Sequence, residues 1–98
     1  MVTLINKFTV HGDTGEFERI WKESSEFMRS QPGFLGFRLH RSLNRPDVYV
    51  NVALWESAAD HQRVLASPEF GVHIKELGAL ATPEPDLYST VVEGVPAQ

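Results

Sequence analysis

Apolar residues change their spacing several times along this chain, and the changes outline its elements. From Val2 to Val10, Leu4, Asn6, Phe8 and Val10 alternate against Thr3, Ile5, Lys7 and Thr9, the period of two expected of a strand. His11-Gly12-Asp13 closes it. Phe17, Ile20, Trp21, Ser24, Phe27 and Met28 then fall on one stripe, which predicts an amphipathic helix of about four turns. Pro32-Gly33 stops that helix. Phe34 to Arg41 returns to alternation, with Leu35, Phe37 and Leu39 set against Gly36, Arg38 and His40. The turn residues of Leu43-Asn-Arg-Pro-Asp47 lead into a third strand from Val48 to Glu56, so the second and third strands form a hairpin. Ser57 with Asp60 resembles a capping box and opens a helix with His61, Val64 and Leu65 on one face, which Ser67-Pro68 breaks or restarts. From Pro68 onward Phe70, His73, Ile74, Leu77 and Leu80 repeat at helical spacing. Thr82-Pro-Glu-Pro85 reads as punctuation before a last strand from Leu87 to Val92.

The order β-α-β-β-α-β is the ferredoxin-like α+β plan, an antiparallel four-stranded sheet with its helices on one face. On the third strand Asn51, Ala53 and Trp55 share one face, and Val50, Val52 and Leu54 share the other. The aliphatic face suits a partner sheet. The face with the amide and the indole looks toward the helices, where Phe17, Trp21, Phe27, His61, His73 and Leu77 line a cavity, with Val64, Leu65 and Phe70 as further lining candidates. Asn6 lies on the more apolar side of its own strand and is expected to join them.

The two asparagines are the unusual feature of the pattern. Asparagine is depleted in strands, and a buried amide without partners forfeits desolvation energy of roughly 1–3 kcal/mol. A lone buried asparagine is more often structural than catalytic. Two of them beside a tryptophan place neutral hydrogen-bond donors in an apolar space, which is a chemical resource.

Composition narrows the classes. A chain of 98 residues, 42% hydrophobic, reads as a single domain over residues 1–98, short enough that dimerisation would add needed burial. It has no cysteine, which excludes disulfides, thiolate ligands and a cysteine nucleophile and fits a reducing compartment. The opening segment lacks signal-peptide character and no apolar run reaches membrane-spanning length, so a cytoplasmic protein with no membrane partner is expected. A net charge of −4 with scattered Lys and Arg offers no basic stripe, so nucleic acid is not an expected partner. No cluster of metal ligands and no glycine-rich phosphate loop occurs, and Ser24, Ser25 and Ser57 have no base beside them. Asp60, Glu69 and Glu76 read as caps or solvated helix faces, and His11 and His40 as surface or turn residues. His61 and His73 lie on apolar helical faces, where a hydrogen-bonded core histidine is the default.

Leu4-Ile-Asn-Lys-Phe-Thr-Val-His-Gly12, Gln31-Pro-Gly-Phe34 and Tyr49-Val-Asn-Val-Ala-Leu-Trp55 resemble, in order and spacing, segments of the antibiotic biosynthesis monooxygenase family. The likeness is strongest to its small cofactor-independent oxygenases, which act on anthrone intermediates of aromatic polyketide pathways. The resemblance covers nearly the whole chain. It implies a homodimeric α+β barrel, no cofactor, a polycyclic aromatic substrate with O2 as co-substrate, and catalytic roles for Asn6, Asn51 and Trp55.

Two other readings stay open at this point. Haem-degrading relatives in the broader superfamily use a first-strand asparagine, a helical tryptophan and a histidine iron ligand. Asn6 and His73 match by position, whereas Val64 occupies the tryptophan position and leaves Asn51 and Trp55 without a role. A non-catalytic dimeric module that binds a hydrophobic small molecule would keep the same fold and pocket.

Overall fold

In the computed structural model, which describes residues 1–97, the elements are β1 (Val2–Val10), α1 (Thr14–Arg29), β2 (Phe34–Arg41), β3 (Val48–Trp55), α2 (Ala58–Leu65), α3 (Pro68–Gly78) and β4 (Ala81–Tyr88). The strands make one antiparallel sheet in the order β2-β3-β1-β4. This is the ferredoxin-like α+β arrangement expected from the alternation of strand and helix periods.

Local chemistry sets the helix starts. The Asp13 carboxylate accepts the Gly15 and Glu16 N–H groups at 2.7 and 3.2 Å and caps α1. Ser57 accepts the Asp60 N–H at 3.1 Å and donates to the Asp60 carboxylate at 2.8 Å, which caps α2. Ser67 does the same for Phe70 N–H at 3.3 Å, with Pro68 following it in the first turn of α3. Ser67-Pro68 therefore restarts the helix, and the expected second helical region is two helices.

Gly33 has a structural requirement of its own. Its φ is +84°, and a Cβ there would lie 2.3 Å from Asp60 Cγ. Its carbonyl accepts the Glu56 N–H at 2.8 Å. The turn before β2 is thereby pinned to the start of α2, and only glycine supplies both the left-handed backbone and the space.

Two strand expectations are corrected. A bulge between Phe34 and Gly36 shifts the β2 register, so Phe34 joins Phe37 and Leu39 on the inner face while Leu35 is 49% exposed. The last strand is Ala81–Tyr88, earlier than Leu87 to Val92, and Ser89 to Ala97 carries no strand or helix. Pro83 and Pro85 lie inside β4, opposite Phe8 and Asn6. An edge strand tolerates proline because one side of its backbone has no neighbour to bond, so residues read as punctuation are part of the sheet.

The inner sheet face packs on the helices in two clusters. Phe8, Val10, Phe17, Ile20, Tyr49, Leu77 and Ala81 fill one end. Leu4, Ala53, Trp55 and Val64 fill the other, with Phe27, Phe34 and Phe70 against them. The outer face, with Ile5, Val50, Val52 and Leu54, is only half-buried.

Candidate active site

The inner sheet face and the three helices enclose a cavity of about 450 Å³, a volume usual for small-molecule sites. β1 supplies Leu4, Asn6 and Phe8, β2 supplies Phe34 and Phe37, and β3 supplies Asn51 and Ala53. Trp21, Ser24, Ser25 and Met28 of α1, His61, Gln62 and Leu65 of α2, and Phe70, His73, Ile74 and Leu77 of α3 form the opposite walls. Pro83, Pro85, Asp86 and Leu87 of β4 complete it. Among the described residues no Lys or Arg lines this space, and Asp86 is its one carboxylate.

The strand period explains why two asparagines meet here. Asn6 and Asn51 are direct partners across the β1–β3 ladder, so their amides stand side by side on the same face. Their surroundings differ. Asn6 Oδ1 accepts the Glu84 N–H of β4 at 3.1 Å, while Asn51 is 5% exposed and its Oδ1 has no hydrogen-bond partner. Buried polar atoms without partners are uncommon, because each forgoes hydration without replacement.

Three more orphaned atoms belong to cavity residues: Trp21 Nε1, Ser24 Oγ and His61 Nδ1. His61 is buried, and burial holds its imidazole pKa below the ordinary value by penalising the charged form. At neutral pH it is therefore uncharged with a free ring nitrogen.

Of the expected site residues, Asn6, Asn51, Trp21, His61, Leu65, Phe70, His73 and Leu77 stand in the cavity wall. Trp55, Val64, Phe27 and Phe17 do not, which corrects the expectation that they face the open space; Phe17 is fully buried in the cluster with Phe8, Ile20 and Tyr49. Trp55 is fully buried one layer behind the wall, with Phe34 and His61 edge-on against it at 5.1 and 5.5 Å. Its Nε1 also lacks a partner. Val64 is packed in the cluster with Trp55, Leu4 and Ala53, and Phe27 covers that cluster with its ring 5.5 Å from His73. These side chains pack against the neighbours that make the wall.

Several lining residues were not singled out from the sequence. Ser24 carried a usable signal, a hydroxyl inside the apolar stripe of α1. Pro83, Pro85 and Asp86 carried none, because the strand that holds them was placed too late in the chain. Phe34 was hidden by the bulge.

Residues 1–76 match the family model described as antibiotic biosynthesis monooxygenase. The chain is 40% identical over 96 residues to deoxynogalonate monooxygenase of Streptomyces nogalater, covering 95% of this chain and 81% of that protein. Its fold superposes on SnoaB of Streptomyces nogalater, described as a cofactor-independent oxygenase, with a TM-score of 0.91 and 38% identity, covering 98% of this chain and 97% of the other. A second SnoaB structure, of an asparagine-to-alanine mutant, matches with a TM-score of 0.90 at the same identity and coverage. The chain belongs to the antibiotic biosynthesis monooxygenase family.

Proposed function

We propose that this protein is a cofactor-independent monooxygenase that converts an anthrone-type polycyclic aromatic polyketide intermediate to its quinone with O2. The observation that carries the reading is the Asn51 carboxamide, buried in an apolar cavity beside Asn6 with its oxygen unpartnered. The names of the similar Streptomyces proteins, a monooxygenase and a cofactor-independent oxygenase, support it.

An anthrone carries an acidic methylene between aromatic rings and opposite a carbonyl. Loss of one methylene proton gives an enolate rich enough in electrons to reduce O2 by one electron. The substrate radical and superoxide then join in a carbon–oxygen bond. Protonation of the resulting peroxide, removal of the second methylene proton and O–O cleavage release water and leave the quinone carbonyl. The protein must supply orientation, a dry space, and donors aimed where negative charge gathers.

Asn51 donates to the substrate oxygen through its NH2, while its unpartnered Oδ1 is an acceptor only, and the amide is held by the strand and strengthened by the apolar surroundings. Asn6 has its oxygen engaged by Glu84, so its NH2 is left to orient the ring on the same rung. His61 takes the first proton on Nδ1, since neither amide nor indole is a base at neutral pH. Burial disfavours the imidazolium, and the adjacent enolate charge offsets that cost. Trp55 holds the His61 ring edge-on from behind the wall and acts as a positioning residue.

Two copies pair through the outer sheet face in this reading. The half-buried aliphatic side chains Ile5, Val50, Val52 and Leu54 and the exposed tail valines Val91, Val92 and Val95 would gain cover, which sedimentation velocity tests directly.

The decisive experiment is oxygen uptake by purified, metal-free protein with dithranol, corrected for autoxidation, in wild type and Asn51→Ala. Catalysis without additives that collapses in the variant supports the oxygenase. No rate above autoxidation overturns it. A Soret band on adding haem that His73→Ala removes would then favour the haem reading, and ring binding without oxygen uptake a binding module.

A further inference from the structure

Two polar atoms of the cavity take no part in the chemistry above, and both sit on α1. Ser24 is 6% exposed, lines the cavity, and its Oγ has no partner. A serine within a helix ordinarily returns its proton to the carbonyl a turn earlier. The neighbouring Ser25 does this, donating to the Lys22 carbonyl at 2.7 Å, whereas Ser24 does not. Trp21 lies three residues before Ser24, hence on the same helical face, and its indole N–H is also buried without a partner. The indole plane is fixed by Phe8, edge-on at 5.2 Å, by Phe17 at 6.1 Å and by Phe37 at 6.2 Å, so the direction of its N–H is set before anything binds.

From these atoms we infer that Trp21 and Ser24 form a second polar anchor, which binds an oxygen substituent on a ring of the substrate away from the reacting carbon. The indole can only donate, so the ligand atom must accept, and the serine hydroxyl can donate to that atom or accept its proton. A phenolic hydroxyl satisfies both groups at once. A carboxylate does not suit the place, because no Lys or Arg lines the cavity and Asp86 does. Asn51 on the sheet and this pair on the helix hold the ring system from different walls and so select rings oxygenated at a lateral position. A site built to hydrogen-bond a hydroxyl discriminates strongly against the analogue that lacks it, because its own buried groups are then left unpaired.

The inference rests on the reading that the cavity takes a polycyclic aromatic ring, and its test is binding without turnover. Titration of anthraquinone and of an anthraquinone with one lateral hydroxyl, followed by ligand absorption below the phenol's pKa, gives the affinity ratio. Wild type should prefer the hydroxylated ring by about ten- to a hundredfold. Ser24→Ala and Trp21→Phe should each shrink the ratio several-fold, the plain ring serving as the reference for any change in the wall itself. Ser24→Ala should also leave the melting temperature unchanged, since its hydroxyl bonds nothing in the protein. A wild-type ratio near one, equal losses for both rings, or no binding of either ring overturns the anchor. Preference without oxygen uptake on the corresponding anthrones would overturn the oxygenase reading alone, and turnover without preference the anchor alone.

Discussion

Asn6 and Asn51 face each other on one rung of the sheet, share a residue type and share a cavity, yet their neighbourhoods assign them different work. Asn6 stands next to the edge, where β4 carries Pro83 and Pro85, and its side-chain oxygen accepts the N–H of Glu84 between them. Asn51 stands one strand in from the opposite edge, flanked by β2, with its oxygen buried and unpaired. One amide is partly spent on holding the fold together and the other is wholly available to a ligand. The edge strand beside each asparagine makes that division, because β4 with its two prolines takes a side-chain acceptor from Asn6 while β2 takes none from Asn51.

The sharpest way to break this comparison is Asn51→Ala. Loss of a donor to the developing oxyanion should lower kcat by about 10²–10³ in oxygen-uptake assays. The melting temperature should hold or rise, because the substitution also removes a buried atom that the protein leaves unsatisfied.

Acidification should show that the proton acceptor is separate from both amides. His61, with its folded pKa depressed by burial, binds fewer protons folded than unfolded. Its contribution to stability is therefore complete above about pH 6.5 and is lost as pH falls through the folded-state value. The rate should fall on the same side, by about tenfold per pH unit once the imidazole is charged. The other titratable groups facing the cavity are His73 and Asp86. The acid limb should persist in Asn51→Ala and Asn6→Ala and vanish from the residual activity of His61→Gln; its persistence there would assign it to His73 or Asp86.

Asn6→Ala should have a mixed and smaller effect: a rate about tenfold lower, from a less well-oriented ring, and about 1 kcal/mol of stability lost with the Glu84 hydrogen bond. Hydrogen exchange should report faster opening of β4 in this variant than in Asn51→Ala. Pro85→Ala is the mildest test. It should cost about 0.5 kcal/mol, chiefly through a more flexible unfolded chain, and leave the rate within about twofold. A large loss of activity there would mean that the proline ring, opposite Asn6, contributes to the site itself.

The legible parts of this protein are those governed by local periodicity. The stripe of α1, the cap at Ser57, the interruption at Ser67-Pro68 and the inward face of β3 could each be read from a few neighbouring residues, and the structure bears them out. What misled was local chemistry overruled by pairing. Pro83 and Pro85 break most strands, but at a sheet edge their missing N–H groups go unused, so β4 begins at Ala81. The bulge beside Gly36 reverses the face of Leu35, which no alternation rule foresees.

For the site, the sequence alone determined that two amides and an indole lie on inward strand faces, because a strand's period of two is a property of the backbone. Only the tertiary structure decided what each of them touches. Register placed Asn6 beside Asn51, the edge strand claimed one oxygen of the pair, and the packing of Phe34 and His61 set Trp55 behind the wall. Those outcomes depend on contacts between residues far apart in the chain, whose distances no local pattern encodes, and they separate a buried polar group that holds the fold from one left free for a ligand.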